Sequence, residues 1–425
     1  MPDDLTRRPA RRAVLRGMAM AATTLTLPQL LGGCSGPGAT TGSLSSTASP
    51  AAASGEPARI ALLLPTSAEP QTAAIARAMK QAAELAVFDL NQPNLQLIVK
   101  DDRGTEAGAR AAATEAIAAG AEIILGPLFS RSTAAIAPIA RQANVPVISF
   151  SNDRTVAGNG VYLLSFLHDQ EVSRIVGFAA QQGRSRLVAL LPRDALGDQL
   201  EPSLRAAAAR SGSTVVAVQR YAPNTTAILD PARKINAVIK AASSSGAPID
   251  SLFLPGTTET LQMVAPFIPY LGIDTQAVRL LGTSGWDTPV TAREKAFAGG
   301  WFAAPNPEGW RAFSDKFARS YNSPPPRFAS LANDAMVVAA AFASAPRGNR
   351  YAAINLTRAN GFSGVDGPFR LLPGGLVERE LAVLEVRPGG PTVIEASPTQ
   401  PARLQTSSLS PRGSLFNPLF RPRHF

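Results

Sequence analysis

Ala121-Glu122-Ile123-Ile124-Leu125-Gly126-Pro127-Leu128-Phe129-Ser130-Arg131-Ser132-Thr133, followed by Val145-Pro146-Val147-Ile148-Ser149-Phe150-Ser151, decides the fold. Each piece opens with a short apolar run and closes on a Gly-Pro stop or on hydroxyl-bearing residues. Residues 132–142 between them carry a helical pattern. Apolar runs of this length fit strands buried on both faces, and a strand–helix–strand unit of that kind is parallel with a right-handed crossover.

The alternation extends both ways. Upstream, Ala58-Arg59-Ile60-Ala61-Leu62-Leu63-Leu64-Pro65 and residues 95–100 predict two more strands, separated by Ala-rich helices over 71–91 and 105–119. The second of these strands ends in Asp101-Asp102, which reads as a solvated strand end. Downstream, strands are predicted at 186–191, 214–221, 251–254 and 278–282, with helices over 199–211, 230–242 and 258–270. Residues 161–169 read as an extended linker between the two halves. The predicted fold class is α/β, with two Rossmann-like lobes built on parallel sheets. Further helices follow over 309–320, 329–345 and 350–359, then a strand over 379–386. From Gly389 the chain is rich in Pro, Ser and Arg without periodicity, so 391–425 is predicted to be a disordered basic tail.

The N-terminus reads as an address. Arg7 to Arg16 form a basic region, Gly17 to Leu31 an apolar stretch too short for a bilayer span, and Leu31-Gly32-Gly33-Cys34 follows. That last group resembles the bacterial lipobox, which implies lipidation of Cys34, the only cysteine. Arg11-Arg12-Ala13-Val14-Leu15-Arg16 also resembles a twin-arginine export motif, so Sec and twin-arginine export both stay open. Residues 1–34 are thus expected to be a lipoprotein signal peptide and 35–57 a flexible Gly/Ser/Thr/Ala/Pro tether to the inner or outer membrane of the cell envelope.

Charge and composition narrow the chemistry. The chain of 425 residues has a formal net charge of +10, but its two ends hold nine of the 41 basic residues and two of the 31 acidic ones, leaving +3 between them. That balance argues against a nucleic-acid groove. One Cys and two His exclude a disulfide framework, a Cys-rich zinc site and an HExxH centre. No Gly-x-Ser-x-Gly elbow, Ser-x-x-Lys or Gly-x-Gly-x-x-Gly fingerprint occurs, so neither an enzyme nor a cofactor is expected. His168, the one interior histidine, reads as a polar residue of the linker.

The segments Ala58–Pro65, Val99-Lys100-Asp101-Asp102-Arg103, Ile123–Leu128 and Val145–Ser151, with Gly364-Val365-Asp366-Gly367-Pro368-Phe369-Arg370, resemble the type I periplasmic binding proteins, in particular the Leu/Ile/Val-binding group. The resemblance covers residues 58–390. It implies two lobes joined by a three-stranded hinge: 58–164 plus 291–345 in lobe one, 165–290 plus 351–388 in lobe two. It implies a non-catalytic receptor for an amino-acid-like or cell-wall-derived solute, working with an ABC-type permease. Gly126-Pro127-Leu128 and the lipobox also resemble the penicillin-binding protein activators, which implies the alternative of a regulator that contacts a peptidoglycan synthase.

A cleft in such a fold lies outside the carboxyl ends of the strands. From the first lobe, Ser130, Ser132, Thr133, Ser149, Ser151, Asn152 and Asp153 are candidate ligand-binding residues; Ser132 and Thr133 fit a helix-capping role equally well. From the second, the candidates are Leu196, Thr257, Thr258, Ser284 and Trp286, the last either stacking on a ligand or filling the core. In relatives an aromatic residue stands where this chain has Leu196, and an ammonium-binding acid near Ser284. Their loss argues against free Leu, Ile or Val as ligand; Asp153, Glu259 or Asp287 could replace the acid.

Overall fold

The computed structural model describes residues 56–222 and 226–397; Cys34, the leader, most of the tether and the tail beyond 397 lie outside them. Five parallel strands form the first sheet: β1 (Ala58–Leu64), β2 (Leu95–Asp101), β3 (Ile123–Leu125), β4 (Val147–Ser149) and β5 (Val161–Leu163), in the order β2-β1-β3-β4-β5. Alternation along β1 sorts its side chains. Ile60, Leu62 and Leu64 face helices Pro70–Leu90 and Ala329–Ala340, while Ala61 and Leu63 face Ala109, Ala113 and Ile136 of the two helices on the other side. Both faces are dry, which is why the run carries no polar alternation. The alanines of Pro70–Leu90 and Ala329–Ala340 set a close approach of those two helices, since interaxial distance follows side-chain size.

The second sheet has β6 (Arg186–Pro192), β7 (Thr214–Tyr221), β8 (Ser251–Phe253), β9 (Arg279–Gly282), β10 (Trp301–Ala304), then β11 (Phe362–Gly364), β12 (Gly367–Leu371) and β13 (Val377–Arg379) as a separate antiparallel three-stranded sheet, and β14 (Ala382–Arg387) and β15 (Gly390–Glu395) back in the second sheet. Its order is β15-β14-β10-β9-β8-β6-β7, parallel from β10 to β7, with β14 and β15 antiparallel. The α/β class with Rossmann-like parallel lobes is therefore present.

The lobe boundaries differ from those the resemblance implied. Trp301–Ala304 lies inside the second sheet, because all four residues are buried and need neighbours on both sides, β9 and β14. Residues 351–379 go with the first lobe, since Phe362, Phe369, Leu371 and Val377 pack against Leu331 and Ala335. The chain consequently passes between lobes at 164–168, 304–307 and 379–382. The first residues of the predicted tail are also ordered, in β15 (Gly390–Glu395). Pro388-Gly389 make a two-residue turn with Gly389 at φ 92°, and β15 returns along the outer edge of β14, where Pro391 is tolerated.

Helix His168–Gln181 ties down the third passage. Gln170 accepts from the amide of Arg379 at 3.1 Å and donates to the Val377 carbonyl, while Arg174 Nε donates to the Leu381 carbonyl at 2.9 Å. Arg379 in turn meets the fully buried Asp334 at 3.1 Å and lies against the rings of Phe166 and Phe369. Burial pushes the Asp334 carboxyl up and Arg379 opposes the rise. Asp102, expected in solvent, is also fully buried: its Oδ1 accepts from Gly104 N at 2.8 Å, its Oδ2 has no partner, and burial pushes its carboxyl up to about 6.

Candidate functional site

A cavity of about 460 Å³ lies where the carboxyl ends of the two sheets face each other. Its first wall is Leu128 and Phe129 after β3, and Phe150 and Asn152 after β4, extended by Thr72, Ile75 and Phe328. Its second wall is Leu196 after β6, Gly256 and Thr257 after β8, and Thr283 to Gly285 after β9. Ser165, Phe166 and His168 of the first passage close the back. A larger groove of about 710 Å³ flanks the third passage, but Arg154, Arg174 and Arg370 on its wall are already paired with Asp169, Glu395 and Glu378.

The predicted first-lobe residues divide sharply. Asn152 stands in the cavity wall; Ser130, Ser132, Thr133, Ser149, Ser151 and Asp153 do not. The helix starts two residues earlier than predicted, at Ser130 with Phe129 as its N-cap, so Ser132 and Thr133 sit inside it and cap nothing. Thr133 Oγ1 and Ser149 Oγ share a 2.7 Å hydrogen bond in full burial, and they reach the carbonyls of Phe129 and Pro127 at 3.0 and 3.2 Å. Ser149 Oγ also accepts from Ser151 N, and Ser151 Oγ from Asp153 N, each at 3.1 Å. Asp153 Oδ1 caps the short turn Arg154–Val156. These hydroxyls hold two strand ends together. Gly126 permits the junction: its φ is +95°, and a side chain there would run into the Leu63 carbonyl.

In the second lobe Leu196, Thr257 and Ser284 line the cavity, and Thr258 does not. Thr257 closes a capping box with Thr260. Trp286 is a core residue: it is fully buried, its Nε1 donates to the Leu254 carbonyl at 2.8 Å, and its ring meets Phe297 and Phe302 over Gly282 and Gly300, which have no side chain to block it. Glu259 and Asp287, the proposed substitutes for an ammonium anchor, are not part of the wall.

The carboxylate of this region is Glu171, which nothing local in the sequence marks. Glu171, 2% exposed, accepts from Ser284 Oγ at 2.6 Å and from Ser284 N at 3.3 Å, and its Oε2 lies 3.5 Å from His168 Nδ1. Burial works against a charged His168, but the hydrogen bond and charge of Glu171, with Asp169 beside them, outweigh it and raise the imidazole above its usual range. The missed aromatic lining, Phe129, Phe150, Phe166 and Phe328, carries no sequence signal that distinguishes it from core.

Two lobes of parallel sheet, three chain passages and a cavity at the facing strand ends define a cleft-type binding protein. A family model described as periplasmic binding protein matches residues 57–391, and the chain belongs to that family. Among solved structures, a putative branched-chain amino acid ABC transporter protein of Rhodospirillum rubrum is 19% identical with a TM-score of 0.67, covering 80% of this chain and 100% of that one. A substrate-binding protein of Desulfitobacterium hafniense in complex with Leu is 20% identical with a TM-score of 0.56, covering 80% and 100%. A solute-binding protein of R. palustris in complex with benzoate is 17% identical with a TM-score of 0.53, covering 81% and 98%. An uncharacterized protein of Rickettsia prowazekii is 23% identical over 231 residues, 54% of this chain, and the chain spans 60% of that relative's length. Family members are substrate-binding proteins, and membership implies a periplasmic location.

Proposed function

We propose that this chain is a non-catalytic, lipid-anchored receptor that takes a small solute into the interlobe cleft and presents the closed state to an ABC-type permease. The observation that carries this reading is the cavity itself, whose wall comes from both lobes and from a passage between them. The solved neighbours support it, one holding leucine and another benzoate. Anchoring through Cys34 completes the reading at the membrane.

The test is a thermal-shift screen of the full chain against amino acids, muropeptide fragments and small organic acids. A solute at 100 times its Kd adds about 2.7 kcal/mol to stability. The shift should vanish in Leu196→Trp, which fills the cavity. A shift that survives this substitution moves the site elsewhere. A peptidoglycan synthase captured equally by the native chain and by Leu196→Trp, with no solute shift, would instead favour the activator reading. Cys34→Ser should release the protein from membranes into the soluble fraction.

A further inference from the structure

We infer that Arg327 is the catch of the hinge: it is fixed to the first lobe and to the first passage, and its remaining donor takes the Asp287 carboxylate of the second lobe when the lobes close. The inference rests on the reading of the cavity as an interlobe cleft and names a contact that holds the closed state.

Arg327 stands just before helix Ala329–Ala340 of the first lobe. Its Nη2 lies 2.5 Å from Oδ1 of the fully buried Asp366, whose Oδ2 accepts from Ser330 Oγ at 2.7 Å. The guanidinium lies 4.4 Å from the centre of the Trp310 ring, just past the second passage, and 5.1 Å from that of Phe166, in the middle of the first. Arg379, at the start of the third passage, lies 5.3 Å from the same Phe166 ring and is held by Asp334. All three passages therefore meet around Phe166, which two anchored guanidiniums grip and which also lines the cavity.

One donor of Arg327 is left. Nη1 is buried and has no hydrogen-bond partner, a condition that native interiors rarely tolerate. From the second lobe, Asp287 follows the Thr283–Gly285 part of the wall, and among the described residues its half-buried carboxyl has no ion pair or hydrogen bond. Burial pushes that carboxyl up; the charges of Arg327 and Arg311 oppose the rise and that of Asp366 adds to it, so both first-lobe arginines are within electrostatic reach. A donor without an acceptor on one lobe and an acid without a donor on the other are complementary. Closure that draws Thr283–Gly285 toward Phe166 and Phe328 carries Asp287 toward Arg327, the residue next to Phe328.

Pulsed electron–electron resonance on the full chain tests this. Spin labels are placed on Arg131→Cys and Gln199→Cys, exposed positions on the helices that follow the two walls, in a Cys34→Ser background. A shorter interlobe distance population is expected, which Asp287→Asn should reduce at least threefold and Asp287→Glu, keeping the charge, should retain. Arg327→Met should match Asp287→Asn, and the two together should do no more than either alone. Should Arg327→Met fail to fold because Asp366 is left unpaired, the two Asp287 variants carry the test by themselves. No short population, or one that Asp287→Asn leaves unchanged, would overturn the catch; a solute shift abolished by Leu196→Trp would then keep the cleft reading without it. A short population that needs Asp287, beside a solute shift that survives Leu196→Trp, would keep the catch and overturn the placing of the solute.

Discussion

The two sheets end differently at the cleft. In the first lobe the residues after the Gly126-Pro127 stop of β3 are Leu128 and Phe129, which fill the wall and leave Thr133 and Ser149 behind them in a closed hydrogen-bonded cluster. In the second lobe the strand ends carry Gly256 and Gly285, with no side chain in front, and Thr257, Thr283 and Ser284 come to the surface of the cavity. A hydroxyl at a strand end is thus available to a ligand only when the residues nearer the strand leave it uncovered. Residue type and distance from the strand do not decide it.

The largest effect that would break this comparison is at Trp286. If it is core rather than wall, Trp286→Ala costs about 3–5 kcal/mol in urea denaturation, as truncation of a buried aromatic does, and leaves the affinity of the folded protein unchanged. A loss of affinity at intact stability would return Trp286 to the cleft. Next is the first-lobe cluster: Thr133→Val should cost about 1–3 kcal/mol, because Ser149 loses a buried partner, again with ligand affinity intact. Weakened binding without loss of stability would mean that the cluster opens to the ligand.

The pH response is smaller. His168 titrates higher in the folded state than in the unfolded chain, so its stabilising contribution is complete below the unfolded value of about 6.5 and fades as pH rises through the higher folded value. Melting curves collected across that window should show the decline in the native protein and its absence in His168→Gln. The smallest effect on stability belongs to Phe129→Ala, within about 0.5 kcal/mol at this partly exposed site, measured by the same denaturation. Its effect falls on the ligand instead, with a loss of about 1 kcal/mol of ring contact in titration.

Much of the architecture was legible because burial on both faces leaves unbroken apolar runs such as Ile60–Leu64, and Gly or Pro marks their ends. The passages were less so: Trp301–Ala304 is apolar enough for either sheet, and only its neighbours β9 and β14 assign it. β15 was hidden because Pro388 and Gly389, a turn between paired strands, have the composition of a disordered tail. At the site, Leu196, Thr257, Ser284 and Asn152 could be found from their places after strands. Glu171 could not, since its partner Ser284 is 113 residues away and nothing local distinguishes it from a solvated helix acid. His168 reads in the sequence as a lone polar residue because Glu171, one turn further on, lies on a helix whose inward face only the fold reveals.

The three passages between the lobes have a consequence for how this molecule could be divided. Neither half is an uninterrupted length of polypeptide, so a protease that severs one connection leaves both halves stitched by the other two. A recombination event that moved one contiguous stretch of coding sequence could not carry off either half complete without part of the other.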